Sequence, residues 1–229
     1  MALRNIFIFS TLMFIFLLSG CKANIEKDIS LNRILNENTS LENCILDIEV
    51  TSCSDPNDSK KPSKYLKEAL DKVPNIFIDA EYQQCSNKKM DAFASFNVPI
   101  AMINQGSKKK QTDSSIDNTE LTIIRLNKKP DVLAFAVKNS LVKKVDSAKK
   151  DTVFGNINLS IIFNVINDTK NTKTVKVSNV FANDKPKLNA KYDLKPNENL
   201  KIKLSDLQTK YLFADEADNQ PVPFLYIDK

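Results

Sequence analysis

The side chains available for chemistry are few in kind. The chain has 229 residues, with no His, three Gly and four Cys. Without His there is no Ser-His-Asp or Cys-His nucleophile and no His-ligated zinc. Three Gly cannot build a Gly-rich phosphate loop, which needs several at fixed spacing. Carboxylates, hydroxyls, amines and thiols remain. Asp47/Glu49 and Asp79/Glu81 have the residue types of a glycosidase acid and base. Their i, i+2 spacing puts each pair on the polar face of a strand, which predicts solvated carboxylates. Ser63-Lys64 and Ser107-Lys108 are the Ser-Lys candidates. Adjacent residues do not face each other on a regular element, and neither pair matches Ser-x-x-Lys. Asp215-Glu216-Ala217-Asp218-Asn219 lacks the spaced ligands and Gly of a calcium loop, so an exposed acidic turn is expected. Asp55-Pro56-Asn57-Asp58 has the composition of a capped turn. No residue is assigned a catalytic role, and no metal or cofactor is expected.

The thiols say more. Cys21 follows a short n-region with Arg4, an apolar run from Ile6 to Leu18, and Ser19-Gly20. The run has the length of a secretory h-region and is too short for a relaxed bilayer span. Leu18-Ser19-Gly20-Cys21 resembles the lipobox of bacterial lipoproteins. The resemblance implies that residues 1–20 are a lipoprotein signal peptide, removed after Cys21 is diacylated. The new N-terminus is often acylated as well. Two or three acyl chains anchor stably, at about 0.8 kcal/mol per buried CH₂. Removing residues 1–20 takes only Arg4 from the charges, leaving 32 basic and 28 acidic residues, a net of +4. So small and mixed an excess does not indicate a nucleic-acid binder.

Export leaves Cys44, Cys53 and Cys85 in an oxidising compartment. Cys44 shares strand parity with Leu46, Ile48 and Val50 and is expected to pack as a small hydrophobe. Cys53 follows that strand in a turn-like context, and Cys85 ends the next strand. A Cys53–Cys85 disulfide is therefore expected, closing a loop of about 32 residues worth roughly 3–4 kcal/mol. A redox or metal site is disfavoured, since there is no Cys-x-x-Cys and no His.

The elements that must hold these residues come from periodicity. Asn24–Ile29 is a short strand leading into a helical turn from Ser30, so no long Gly/Ser/Pro tether separates the fold from Cys21. Residues 62–73 form an amphipathic helix between Pro62 and Pro74. Ile76–Gln84 and Asp91–Ile103 alternate as strands, and Pro99 argues for an edge or a bulge. Leu121–Leu126 and Val132–Val137 follow, the second apolar on both faces and hence central. Residues 140–150 are a second helix, with Lys143, Lys144, Lys149 and Lys150 on its polar side. Those lysines and the Lys108–Lys110 run suit anionic lipid or glycan, although a solvated surface is the default. After Asp151 long strands and Asn-rich turns take over, Ser205 caps a short helix before Leu212, and Val222–Ile227 is the last strand. The expected class is α+β. Residues 21–150 would be an antiparallel sheet with two helices, and residues 151–229 a β-rich, sandwich-like domain.

Cys53-Ser54-Asp55, Lys61-Pro62-Ser63, Glu81-Tyr82 and Cys85, following Gly20-Cys21-Lys22, resemble a family of small lipoproteins found in enterobacteria and their prophages. The resemblance covers most of the chain, the first 150 residues above all. It implies a location rather than an activity, and it agrees with pairing Cys53 and Cys85. In enterobacterial lipoproteins Asp after the lipidated Cys retains the protein in the inner membrane. Lys22 and Ala23 stand there in this chain, which implies the periplasmic face of the outer membrane, or the plasma membrane if the host has no outer one. The expected function is a non-catalytic envelope lipoprotein that binds a protein or ligand at the membrane surface. An envelope hydrolase using Asp/Glu or Ser-Lys chemistry, and a structural subunit of an envelope complex, are the competing readings.

Overall fold

The structure, a computed structural model, describes residues 21–36, 39–88, 90–105, 116, 118–150, 157–214 and 220–228. Residues 1–20, expected to be a signal peptide, Ser107, the Lys108–Lys110 run and Asp215–Asn219 lie outside them. In chain order the elements are β1 (Lys22–Ser30), α1 (Leu31–Asn36), β2 (Ser40–Val50), β3 (Ser54–Asp55), β4 (Asp58–Pro62), α2 (Lys64–Ile76), β5 (Glu81–Lys88), β6 (Asp91–Asn104), β7 (Leu121–Leu126), β8 (Asp131–Val137), α3 (Asn139–Lys149), β9 (Asn158–Ile166), β10 (Lys173–Ala182), β11 (Lys185–Leu194), β12 (Asn199–Leu204), α4 (Asp206–Leu212) and β13 (Val222–Ile227).

Nine of these strands close on themselves. The ring runs β1-β2-β6-β7-β8-β13-β10-β12-β9 and returns to β1. β5 is added to β6, and β11 to β10. Of the described residues 56% are strand and 21% helix, so the protein is mostly β. The expected α+β class, with an antiparallel sheet and two helices followed by a sandwich, is therefore incorrect. Alternation shows that a strand has one apolar face but does not name its neighbours. β1 pairs parallel with β9 along nine residues, Lys22–Ser30 against Asn158–Ile166. That ladder crosses the domain boundary expected at residue 150. β6 and β7 are also parallel.

Two strands change partners along their length. β6 pairs with β5 through Asn97 and with β7 from Ile100. Pro99, which has no N–H to donate, falls in the gap between those ladders. β10 meets β13 at Val175–Val177 and β12 at Val180–Ala182. Asn179, with φ 56°, lies between them. Asn tolerates this left-handed conformation better than most residues.

The interior is packed rather than open. Phe163 of β9 stacks on Phe224 of β13, with centroids 4.2 Å apart, and meets Phe135 of β8 edge-on at 5.4 Å. Ile25, Leu46, Phe96, Ile100, Leu121 and Leu133 fill the rest, all fully buried. α2 contributes Leu66, Ala69 and Val73 to the same core, and α3 contributes Leu141, Val142 and Val145.

Candidate functional site

The surroundings of Cys21 follow from β1. The strand starts at Lys22, held by β2 on one edge and β9 on the other. The Asn158 N–H donates to the Cys21 carbonyl at 2.8 Å. The Lys22 N–H donates to Glu49 Oε2 at 2.9 Å, and Lys22 Nζ reaches Asp91 Oδ2 at 2.6 Å. Cys21 is thus tied to the barrel at the first peptide of the ladder. It borders a cavity of about 90 Å³ lined also by Ile48, Glu49, Val50, Tyr65 and Ala69. Its thiol is half-buried. Burial first, and the Glu49 carboxylate second, raise its pKa. The hydrogen bond to Asp91 raises the Lys22 pKa.

The other thiols lie as their strand parity implied. Cys53 and Cys85 form a disulfide with Cα atoms 5.6 Å apart. It joins the turn after β2 to β5. Ser63 completes that corner, since its N–H donates to Cys53 O at 3.1 Å while its Oγ accepts from the Leu66 N–H and caps α2. Cys44 is buried, and its Sγ lies 3.4 Å from Val98 O. Burial pushes its pKa up to about 12.

The carboxylate pairs do not converge on a cleft. Asp47 is 1% exposed, against the expectation of a solvated face. It accepts hydrogen bonds from Ser95 Oγ and Lys88 Nζ. Ser95 is its cross-strand neighbour on β6, and Lys88 ends β5, so the pairing of β5 with β6 brings the lysine over an aspartate that sequence alone leaves bare. The bond to Asp47 raises the Lys88 pKa. Lys88 is thereby kept as a cation, the wrong form for a Ser-Lys general base. Glu49 is occupied by Lys22. Ile76–Gln84 is not one strand: α2 runs through Ile76, Asp79 sits in a turn with φ 57°, and β5 starts at Glu81. Asp79 and Glu81 therefore share no strand face. Pro74 lies in the last turn of α2 instead of ending the helix before it. Ser63 is a helix cap and Lys64 points to solvent. Asp55 and Asp58 accept from the N–H groups of Asn57 and Lys60, forming the capped turn between β3 and β4.

Three further charged residues are buried, Arg125, Asp131 and Glu120. Arg125 is 8% exposed; Nη2 bonds Asp131 Oδ2 at 2.9 Å, and Nη1 bonds the carbonyls of Ile34 and Leu35 at the end of α1. The signal was present, because Arg125 has the parity of Leu121 and Ile123. Glu120 accepts from Lys144 Nζ at 3.0 Å and from the Ile78 N–H at 3.3 Å, joining α3 to the turn after α2.

Among the described residues no group of three or more His, Cys, Asp or Glu could hold a metal ion. No helix among them is long and apolar enough to cross a membrane. A family model described as a domain of unknown function, DUF7424, matches residues 23–223. No curated protein and no solved structure matches the chain.

Proposed function

The chain belongs to the DUF7424 family, and on that premise we propose that it is a lipid-anchored protein of the bacterial cell envelope, a non-catalytic interaction module held at the membrane by acylated Cys21. The observation that carries this reading is the junction of Leu18-Ser19-Gly20-Cys21 with a barrel strand that begins at Lys22. Such a junction suits a barrel pressed close to the bilayer, with no tether to let it reach away. The residue after the anchor is Lys22, not Asp, which favours the periplasmic face of the outer membrane, or the plasma membrane in a host without one. The partner is an envelope protein or ligand met at that surface, and a prophage-linked role fits the lipoprotein family that the sequence resembles.

Labelling with a clickable fatty acid tests the anchor. Wild type should label and Cys21→Ser should not. Equal labelling of both would remove the anchor and the membrane location together.

A further inference from the structure

We propose that the face formed by α2 and α3 is a second membrane-binding element, seated on anionic phospholipid headgroups beside the acylated cysteine. The inference rests on the anchor reading above. The first observation is charge. α2 and α3 carry six lysines against Glu68, Asp71 and Asp146, a net of +3, whereas the chain after residue 20 nets +4 in all. Two packed helices thus carry six of the chain's lysines and a net positive charge.

The second observation is position. The N-terminal half of α2 borders Cys21 through Tyr65 and Ala69. Its C-terminal half meets α3 in an open groove of about 400 Å³ lined by Lys72, Lys143 and Lys144 together with Asn75, Ile76, Ser147 and Ala148. α2 has 13 residues, about 20 Å of helix. The basic surface thus starts at the anchor and extends along α2 by about that length. Lys64, Lys67 and Lys143 are exposed along it.

The third observation is a pair of amphipathic or apolar side chains at the same place. Tyr65 is exposed next to Cys21, and Met90, 99% exposed, precedes the Asp91 that binds Lys22. An exposed tyrosine, an exposed apolar side chain and lysines whose ammonium groups can reach phosphate are what an interfacial surface requires. Each lysine close to an anionic leaflet is worth about fivefold in partitioning.

The test uses the lipidated chain reconstituted in vesicles of phosphatidylcholine alone or of phosphatidylcholine with phosphatidylglycerol. Flotation reports the anchor, and labelling by a water-soluble amine reagent, read by mass spectrometry, reports the face. The expected result is flotation with both vesicles and about fivefold slower labelling of Lys64, Lys67 and Lys143 on the anionic ones. High salt should reverse this slowing, and Lys187 and Lys191 of β11 should not change. In Lys64→Glu/Lys67→Glu/Lys143→Glu the protection of the remaining α2 and α3 lysines should fall while flotation persists and the thermal transition stays put. Flotation with equal labelling on both vesicles would overturn this proposal and leave the anchor standing. Protection only after peptidoglycan sacculi are added to the neutral vesicles would overturn it in favour of a glycan. Failure to float would overturn both.

Discussion

Cys44 shows how one buried atom makes stability depend on pH. Its thiol is held protonated up to about pH 12, whereas an ordinary thiol ionises near 9.0. Between those values the unfolded chain releases a proton that the folded chain keeps. Stability contributed by the neutral thiol is thus complete below pH 9 and declines above it, by about 1.4 kcal/mol per pH unit. Urea unfolding of wild type and Cys44→Ala from pH 7 to 10 should show the wild type losing stability relative to the variant only above pH 9. A constant difference across the range would mean that the thiol is not buried as described. Arg125 makes the opposite kind of case, a charge placed inside. Removing one partner of a buried pair leaves the other uncompensated, so Arg125→Met should cost about 3–5 kcal/mol in chemical denaturation. Arg125→Met/Asp131→Leu should recover part of that loss.

The short helix α1 depends on residues far away in sequence. Its six residues are too few to be stable alone. Ser30 Oγ accepts from the Arg33 N–H at 2.9 Å, and Asp168, in the turn between β9 and β10, takes the Asn32 N–H at 2.8 Å and the Ser30 hydroxyl. Arg125 closes the other end. Burial acts to raise the Asp168 pKa, but its hydrogen bonds from Ser30 and Asn32 together outweigh that and lower it. A lowered carboxylate contributes stability above its ordinary value of 3.8 and loses it as pH falls through the lower folded value. Asp168→Asn should therefore be less stable than wild type above about pH 4, with the gap closing at more acid pH. Hydrogen exchange at Asn32 and Arg33 should report the same change locally. The neighbouring helices were legible in sequence because their apolar stripes are longer. Ser205 was legible as a cap because Gln208 completes its capping box. α1 showed only as a helical turn, since Asp168 and Arg125 lie more than 85 residues away from the groups they bond.

At the scale of the molecule the ring joins the two halves of the chain. β1 belongs to the first half of the chain and β9 to the second, and β8 pairs with β13 in the same way. Residues 21–150 alone would expose the β9-facing edge of β1, the β13-facing edge of β8 and one side of the Phe135–Phe163 contact. That fragment should show no cooperative thermal transition by circular dichroism, while the chain from residue 21 onward should show one. A folded fragment with a sharp transition would support a division at residue 150.

The local facts follow from the sequence without the fold. Strands such as Leu121–Leu126, the helices near residues 62–73 and 140–150, the inward face of Cys44 and the disulfide between Cys53 and Cys85 were all readable from it. Each depends on parity or spacing within a few residues, together with the chemistry of the residue types. The tertiary structure alone decided which strands are neighbours. Only it showed that Ser95 and Lys88 cover Asp47, and that two lysine-bearing helices pack together, one of them bordering Cys21. Those outcomes depend on registers between segments up to about 136 residues apart, such as Lys22 with Asn158. An alternating pattern has the same period whichever strand it pairs with.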